Sequence, residues 1–423
     1  MKVADVLAAL QESASIAPQL THWEEAQAAF PNRRPDFLRH DTLAAAWAAG
    51  GFDHPLPSAV PHLADRIAGD PALLRLAWYV HWRLFAGPHA SLQWCWPSLQ
   101  ACLGDEAGLF YLIAALAFVP AVHAYHATLA VPDPITRDTC RQVACYADNY
   151  RRGNPGRLGL YTGQIGWLGN YLAPQLYFRI GRFEFWRRPY DGDYRVYRHR
   201  ATGETRALAA ADTLLTAAGD RCFDPAQPPP PASWRATFSE TADTVSGTPL
   251  SPCGRALPQT VCLPKPDWDC VLRPGDPILD LHIPAGGNMP PETCAASFRD
   301  AVAFFLAKFP DQTPKAIVCT SWMFSNQLEE CLPADANLVR LLRELYLVPV
   351  PCRPNDGLWF VFLQGELNPA TAPRETRLQR AILDYLAQGH KWHQGGMFLL
   401  PDDLARFGTQ PYRQSRKAET GSQ

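Results

Sequence analysis

His282 stands at the end of an apolar run, Ile278-Leu279-Asp280-Leu281-His282-Ile283, that passes directly into Pro284-Ala285-Gly286-Gly287-Asn288-Met289-Pro290-Pro291-Glu292. Beyond it, Phe298, Ala301, Val302, Phe305, Leu306 and Phe309 recur at helical spacing. The pattern predicts strand, glycine loop, helix. Such a loop lets backbone N–H groups approach an anion with no side chain in the way, and the helix N-terminus adds about half a positive charge there. The segment therefore suits a pyrophosphate, although many αβ proteins use the same arrangement only to turn the chain.

The nearby reactive side chains are few. His282 offers an imidazole, the side chain most often used as a general base. Glu184 alternates with Phe183 and Phe185 on an early predicted strand. Ser321 and Trp322 close another, Ala316 to Ser321. Cys319 lies inside that strand; as a thiolate it could take an acyl group itself, but activation needs a base or a helix N-terminus, and a sulfur in Ala-Ile-Val-Cys-Thr more often faces the core.

Several other chemistries are excluded by pattern. There is no Gly-x-Ser-x-Gly elbow and no Gly-x-x-x-x-Gly-Lys phosphate loop. Zinc favours short spacings such as Cys-x-x-Cys, which do not occur; Cys140, Cys145, His123 and His126 read as residues packed in helices, and no metal is expected. Lys plus Arg total 39 against 41 for Asp plus Glu, a net charge of -2 with no long run of either sign. That balance argues against nucleic acid or an anionic membrane as the main partner. Met1-Lys2-Val3-Ala4-Asp5 places an acid where a signal peptide needs its apolar core. The 12 cysteines, spread over a long chain, are expected to be free thiols in a reducing cytoplasm.

A length of 423 residues predicts two domains. Residues 1–150 read as all-helical, with Val6, Leu7 and Leu10 opening an amphipathic face and Leu63, Ile67, Leu73, Leu74, Ala77 and Trp78 continuing the rhythm. The longest apolar run, Gly108 to Val122, is shorter than the ~20 residues that span a bilayer and carries Pro120, so it reads as a buried helix. Leu92-Gln93-Trp94-Cys95-Trp96-Pro97 and the helix Phe110 to Tyr125 read as core. Arg151-Arg152-Gly153-Asn154-Pro155-Gly156 marks the boundary with a second domain, 151–412.

There, two-residue alternation around Phe183–Trp186 and Tyr194–Arg198, with turns at Asp191-Gly192 and Thr202-Gly203, predicts an antiparallel meander. Residues 225–231 form a proline-rich excursion. After Pro310 the expected order is a strand (Ala316 to Ser321), a helix (Ala336 to Tyr346), a strand (Leu358 to Leu363), a helix (Arg374 to Gly389) and a strand (Met397 to Leu400). Residues 413–423 read as a polar tail.

Three segments together resemble a bacterial family of N-acyltransferases. They are Leu281-His282-Ile283-Pro284-Ala285-Gly286-Gly287 with its helix, Leu176-Tyr177-Phe178-Arg179-Ile180-Gly181-Arg182-Phe183-Glu184-Phe185, and Val318-Cys319-Thr320-Ser321-Trp322. That family pairs a helical N-terminal domain with a GNAT-like C-terminal domain, so the resemblance implies an α+β fold: an all-helical domain, then a mixed, mostly antiparallel sheet flanked by helices. It implies transfer of an acyl group from acyl-CoA to the amine of a small-molecule or peptide acceptor by direct attack. The strand ending at His282 would splay from Ala316–Ser321 to admit the pantetheine arm, with Ile283, Gly286, Gly287 and Asn288 holding the CoA. His282 is the first choice for the base, or else ties the loop down; Glu184 is the second, or else a salt-bridged carboxylate. Ser321 and Trp322 orient the acyl group or simply edge the core.

Three departures stand out. The loop lacks the basic residue usual in GNAT enzymes, and Pro290-Pro291 removes N–H donors at the start of the helix. Where many of them carry an acidic Tyr, this chain has Leu341-Leu342, with Tyr346 one turn later. A non-catalytic acyl-CoA sensor or scaffold is the alternative that these departures motivate.

Overall fold

Asp70 and Pro71 show how the first half of the chain is punctuated. In the computed structural model, which describes residues 1–31, 33–87, 95–172, 176–364 and 367–413, the Asp70 carboxylate accepts from the N–H groups of Ala72 and Leu73 at 2.8 and 3.0 Å. Pro71 takes the first helical position, whose N–H has no partner in any helix. The apolar rhythm from Leu63 to Trp78 is thereby cut into two helices, Ala59–Gly69 and Pro71–His81. The chain forms two units, Met1–Ile180 with Ile283–Gly286, and Gly181–His282 with Gly287–Gln423.

The first unit is helix-rich. Val6, Leu7 and Leu10 are buried as their spacing predicts. Every residue of the helix Ala107–Ala115 is buried, and Phe118–Thr128 follows it with Pro120 in its first turn, where proline is tolerated. The stretch Gln100–Thr128 is long and apolar enough to cross a membrane by composition, yet 78% of its most apolar window is buried inside the protein. Trp96 is buried in this core; Leu92-Gln93-Trp94 lie outside the described residues. His126 is also buried, its Nδ1 2.9 Å from Thr136 Oγ1 and its ring stacked on Phe178, whereas His123 is exposed.

Among the described residues of 1–150 every regular element is helical. The unit runs past the loop at 151–156 to the strand Phe178–Ile180. Leu160 N–H donates to Gly108 O at 3.0 Å, and a Cβ on Gly159 would lie 2.5 Å from the Gly108 backbone, so the residues after the loop pack onto the helix Ala107–Ala115.

The second unit is built on five strands: β1 (Phe183–Pro189), β2 (Pro277–His282), β3 (Ala316–Ser321), β4 (Tyr346–Pro349) and β5 (Gly395–Leu399), ordered β1-β2-β3-β5-β4. Only β2–β3 is parallel; its crossover carries the helix α1 (Pro291–Lys308). Phe183 and Phe185 turn to one face of β1, where Phe298 of α1 stacks on Phe183 at 5.1 Å. Burying one such ring is worth about 1.5–3 kcal/mol.

A second antiparallel sheet, with Thr205–Ala209 and Tyr194–His199 at its centre, packs through Tyr197, Leu208, Val245, Leu263 and Trp268. The turn at Thr202-Gly203 joins Tyr194–His199 to Thr205–Ala209 as expected, with Gly203 at φ +70. The turn at Asp191-Gly192 does not make a hairpin. Tyr190 instead exchanges backbone hydrogen bonds with Gly275 and Asp276, so β1 pairs with β2 and the chain changes sheet. The proline-rich excursion 225–231 is exposed.

Two elements near the end differ from their expected type. The helix expected to reach Tyr346 ends at Glu344, and Tyr346–Pro349, wholly buried, becomes β4. Leu358–Leu363, expected as a strand, is a short helix, Trp359–Phe362, ended by Leu363 at φ +54. Gly357 before it packs so closely on Trp322 that a Cβ would come within 2.4 Å. The helix Arg377–Ala387 begins with a Thr376–Gln379 capping box. Residues 414–423 of the predicted tail lie outside the described residues.

Candidate functional site

The alternation that buries Phe183 and Phe185 against α1 sends Glu184 to the opposite face, and antiparallel register sets it directly across from His282. Glu184 Oε2 lies 2.5 Å from His282 Nδ1; the Glu184 side chain is fully buried and that of His282 is 27% exposed. A carboxylate in this position is stabilised by a hydrogen-bonded partner that also reaches solvent. Two residues down β2 on the same face, Asp280 pairs with Arg188, which also binds Asp191. Burial pushes the Asp280 carboxyl up to about 6 despite Arg188.

β2 and β3 part beside this pair. Their parallel register runs only from Ile278–Ala316 to Asp280–Val318, while β1 follows β2 to His282 and β5 follows β3 to Ser321. Leu281 and His282 therefore face Cys319, Thr320 and Ser321 with no ladder between them. The Cys319 thiol donates across this wedge to the Leu281 carbonyl at 3.0 Å. Burial pushes that thiol well above its ordinary pKa, and Asp280 adds to the effect.

In the loop after β2, residues 285–288 are exposed. Gly286 and Gly287 have φ of +80 and +72, and nothing lies within 4 Å of a Cβ built on Gly286. For Gly287 the nearest atom is Arg182 Nε at 3.6 Å, and the same nitrogen donates to Asn288 O at 3.3 Å. A basic side chain thus reaches the loop from the turn before β1. At α1, Pro291 at the first position leaves the following N–H groups without a side-chain cap, and Glu292 puts an acid in the first turn. Ile283 and Gly286 belong to the first unit, in which the Cys145 thiol donates to Ala285 O at 3.5 Å.

Ser321 Oγ accepts from Met323 N–H at 3.2 Å and so caps the short turn Trp322–Phe324. Trp322 is half-buried beside Gly357. Tyr346 is remote from an acid's position: it is buried in β4, and its hydroxyl donates to Leu250 O at 2.5 Å and accepts from Ala207 N–H at 3.3 Å.

Sequence comparisons find two family models along the chain. Residues 41–173 match the N-acyltransferase N-terminal domain and residues 177–399 the GNAT-like C-terminal domain. The chain belongs to this two-domain N-acyltransferase family. Among solved structures, this family member is similar to an acyltransferase in complex with decanoyl-CoA and teicoplanin, at 23% identity over 95% of this chain and 99% of that one, TM-score 0.62. An acyltransferase mutant with octanoyl-CoA gives 23% identity, 95% and 100% coverage and TM-score 0.62. An acyltransferase with CoA and 10C-teicoplanin gives 23%, 95%, 99% and 0.61. At this identity the likeness is one of fold. No curated protein matches the chain.

Proposed function

We propose that this N-acyltransferase family member transfers an acyl group from acyl-CoA to the amine of a small-molecule or peptide acceptor by direct attack. The observation that carries this reading is the wedge between β2 and β3, opening next to the His282–Glu184 pair. The pantetheine arm lies in the wedge, and the diphosphate lies against Gly287, Asn288 and the N-terminus of α1, with Arg182 supplying positive charge. The similar acyltransferases crystallised with decanoyl-CoA, octanoyl-CoA and teicoplanin support both donor class and acceptor class.

In the reaction, neutral His282 donates its Nδ1–H to Glu184, which leaves Nε2 as the acceptor. Nε2 takes a proton from the acceptor ammonium, and the freed amine attacks the thioester carbonyl. The tetrahedral intermediate loses its surplus N–H proton to solvent and collapses with loss of the CoA thiolate, which takes up the imidazolium proton; amide and CoA thiol result. Glu184 acts through the imidazole, since it is fully buried behind it. Ser321 is occupied as a cap, so the acyl group is held by the wedge walls and Trp322.

The test is release of CoA thiol from a series of acyl-CoAs with a panel of amines. Binding of CoA without release in any combination would overturn catalysis and favour the sensor reading. Arg182→Ala is expected to raise the Kd for CoA about five- to tenfold at unchanged kcat; an unaltered Kd would place the phosphates elsewhere.

Cys319 is not the nucleophile. Its thiol is buried, held by Leu281 O and displaced far from ionisation. Protein quenched in acid during turnover is expected to carry no acyl adduct by intact mass, and Cys319→Ala to keep turnover within about tenfold. A stoichiometric adduct on Cys319 would establish the two-step route.

A further inference from the structure

A second pair of side chains, away from the His282–Glu184 pair, is placed for covalent chemistry. Cys222 and Cys352 face each other in an isolated parallel pairing. Cys352 N–H donates to Arg221 O at 3.3 Å and Phe223 N–H donates to Cys352 O at 3.1 Å, which fixes the register on both sides of Cys222. Adjacent strands lie about 4.8 Å apart, inside the ~4.4–6.8 Å Cα separation that a disulfide requires. Facing residues in such a ladder project their side chains to the same side. Both cysteines are half-buried free thiols.

The flanking residues Asp220, Arg221, Val350 and Gln394 line a crevice at the ends of β4 and β5.

We propose that Cys222 and Cys352 form a reversible disulfide by exchange with a small disulfide such as oxidised glutathione. One of the two thiols loses its proton to solvent, attacks one sulfur of the oxidant and expels a thiolate, leaving a mixed disulfide. The other then loses its proton to solvent, attacks the protein sulfur of the mixed disulfide and expels the second thiolate. Two protein thiols become one disulfide and the oxidant disulfide becomes two thiols, a two-electron exchange that balances. The closed bond staples together the two segments that edge the crevice.

The full chain, equilibrated in reduced and oxidised glutathione mixtures and quenched in acid, is expected to give a cross-linked Cys222–Cys352 peptide that dithiothreitol removes. In Cys222→Ser and in Cys352→Ser the cross-link is expected to be lost, the remaining thiol carrying at most one glutathione. Absence of the cross-link at every ratio, or persistence of a glutathione adduct on Cys222 or Cys352 in the unsubstituted protein, would each overturn the proposal. Peptide mass is read in all arms, so the result is independent of acyl transfer.

Discussion

Replacement of His282 by alanine is expected to lower kcat for acyl transfer by roughly 10²–10⁴-fold, the usual contribution of a positioned general base, with little change in affinity for acyl-CoA. The affinity is spared because the donor contacts proposed above are made by the glycine loop, Arg182 and the wedge rather than by the imidazole. Glu184→Gln is expected to lose less, roughly tenfold or more. An amide there can rotate its NH₂ group toward Nδ1, which favours the tautomer with the proton on Nε2 and removes the base. Turnover of the His282 variant at the unsubstituted rate would assign the base elsewhere. A protein that binds acyl-CoA normally and turns over in neither form would be the sensor.

Acidification is expected to weaken the first unit through His126. Burial, with a smaller contribution from His123, lowers this imidazole from 6.5 to about 4. The unfolded chain therefore binds a proton between those values that the folded chain does not, so stability is complete above 6.5 and is lost as pH falls toward 4. The full difference is on the order of 3 kcal/mol, and about 2 kcal/mol of it is gone at pH 5. Denaturant melts at pH 7 and pH 5 are expected to show that loss. The slope with pH is expected to flatten in His126→Gln, whose amide can still meet Thr136, whatever the variant's absolute stability. An equal slope in both proteins would show that other groups govern acid sensitivity.

The elements around the site were legible because their boundaries are chemical. Prolines bracket α1, two-residue alternation marks β1, and Ala316–Ser321 is a short apolar run between polar ends. β4 was hidden because Leu345-Tyr346-Leu347-Val348 continues the apolar content of the preceding helix, and only its burial on both faces distinguishes it. Trp359–Phe362 has strand-like composition, but the tight contact between Gly357 and Trp322 fixes the approach of the chain. Within the site, alternation identified Glu184 and proximity to the glycines identified His282, but their pairing depends on register across 98 positions. Arg182 reaches Asn288 across 106. The Cys222–Cys352 pair likewise depends on tertiary placement, for no local spacing joins them.

The short stretch over which β2 and β3 share hydrogen bonds divides the sheet into two leaves, β1-β2 and β3-β5-β4, joined along a spine only from Ile278 to Asp280. A small rotation about that spine would widen the free margin at the cost of the Cys319–Leu281 hydrogen bond while leaving the longer ladders within each leaf intact. Guests of different girth would then need few backbone bonds to give way, and the amides at the spine are the ones whose deuterium uptake is expected to record such a movement.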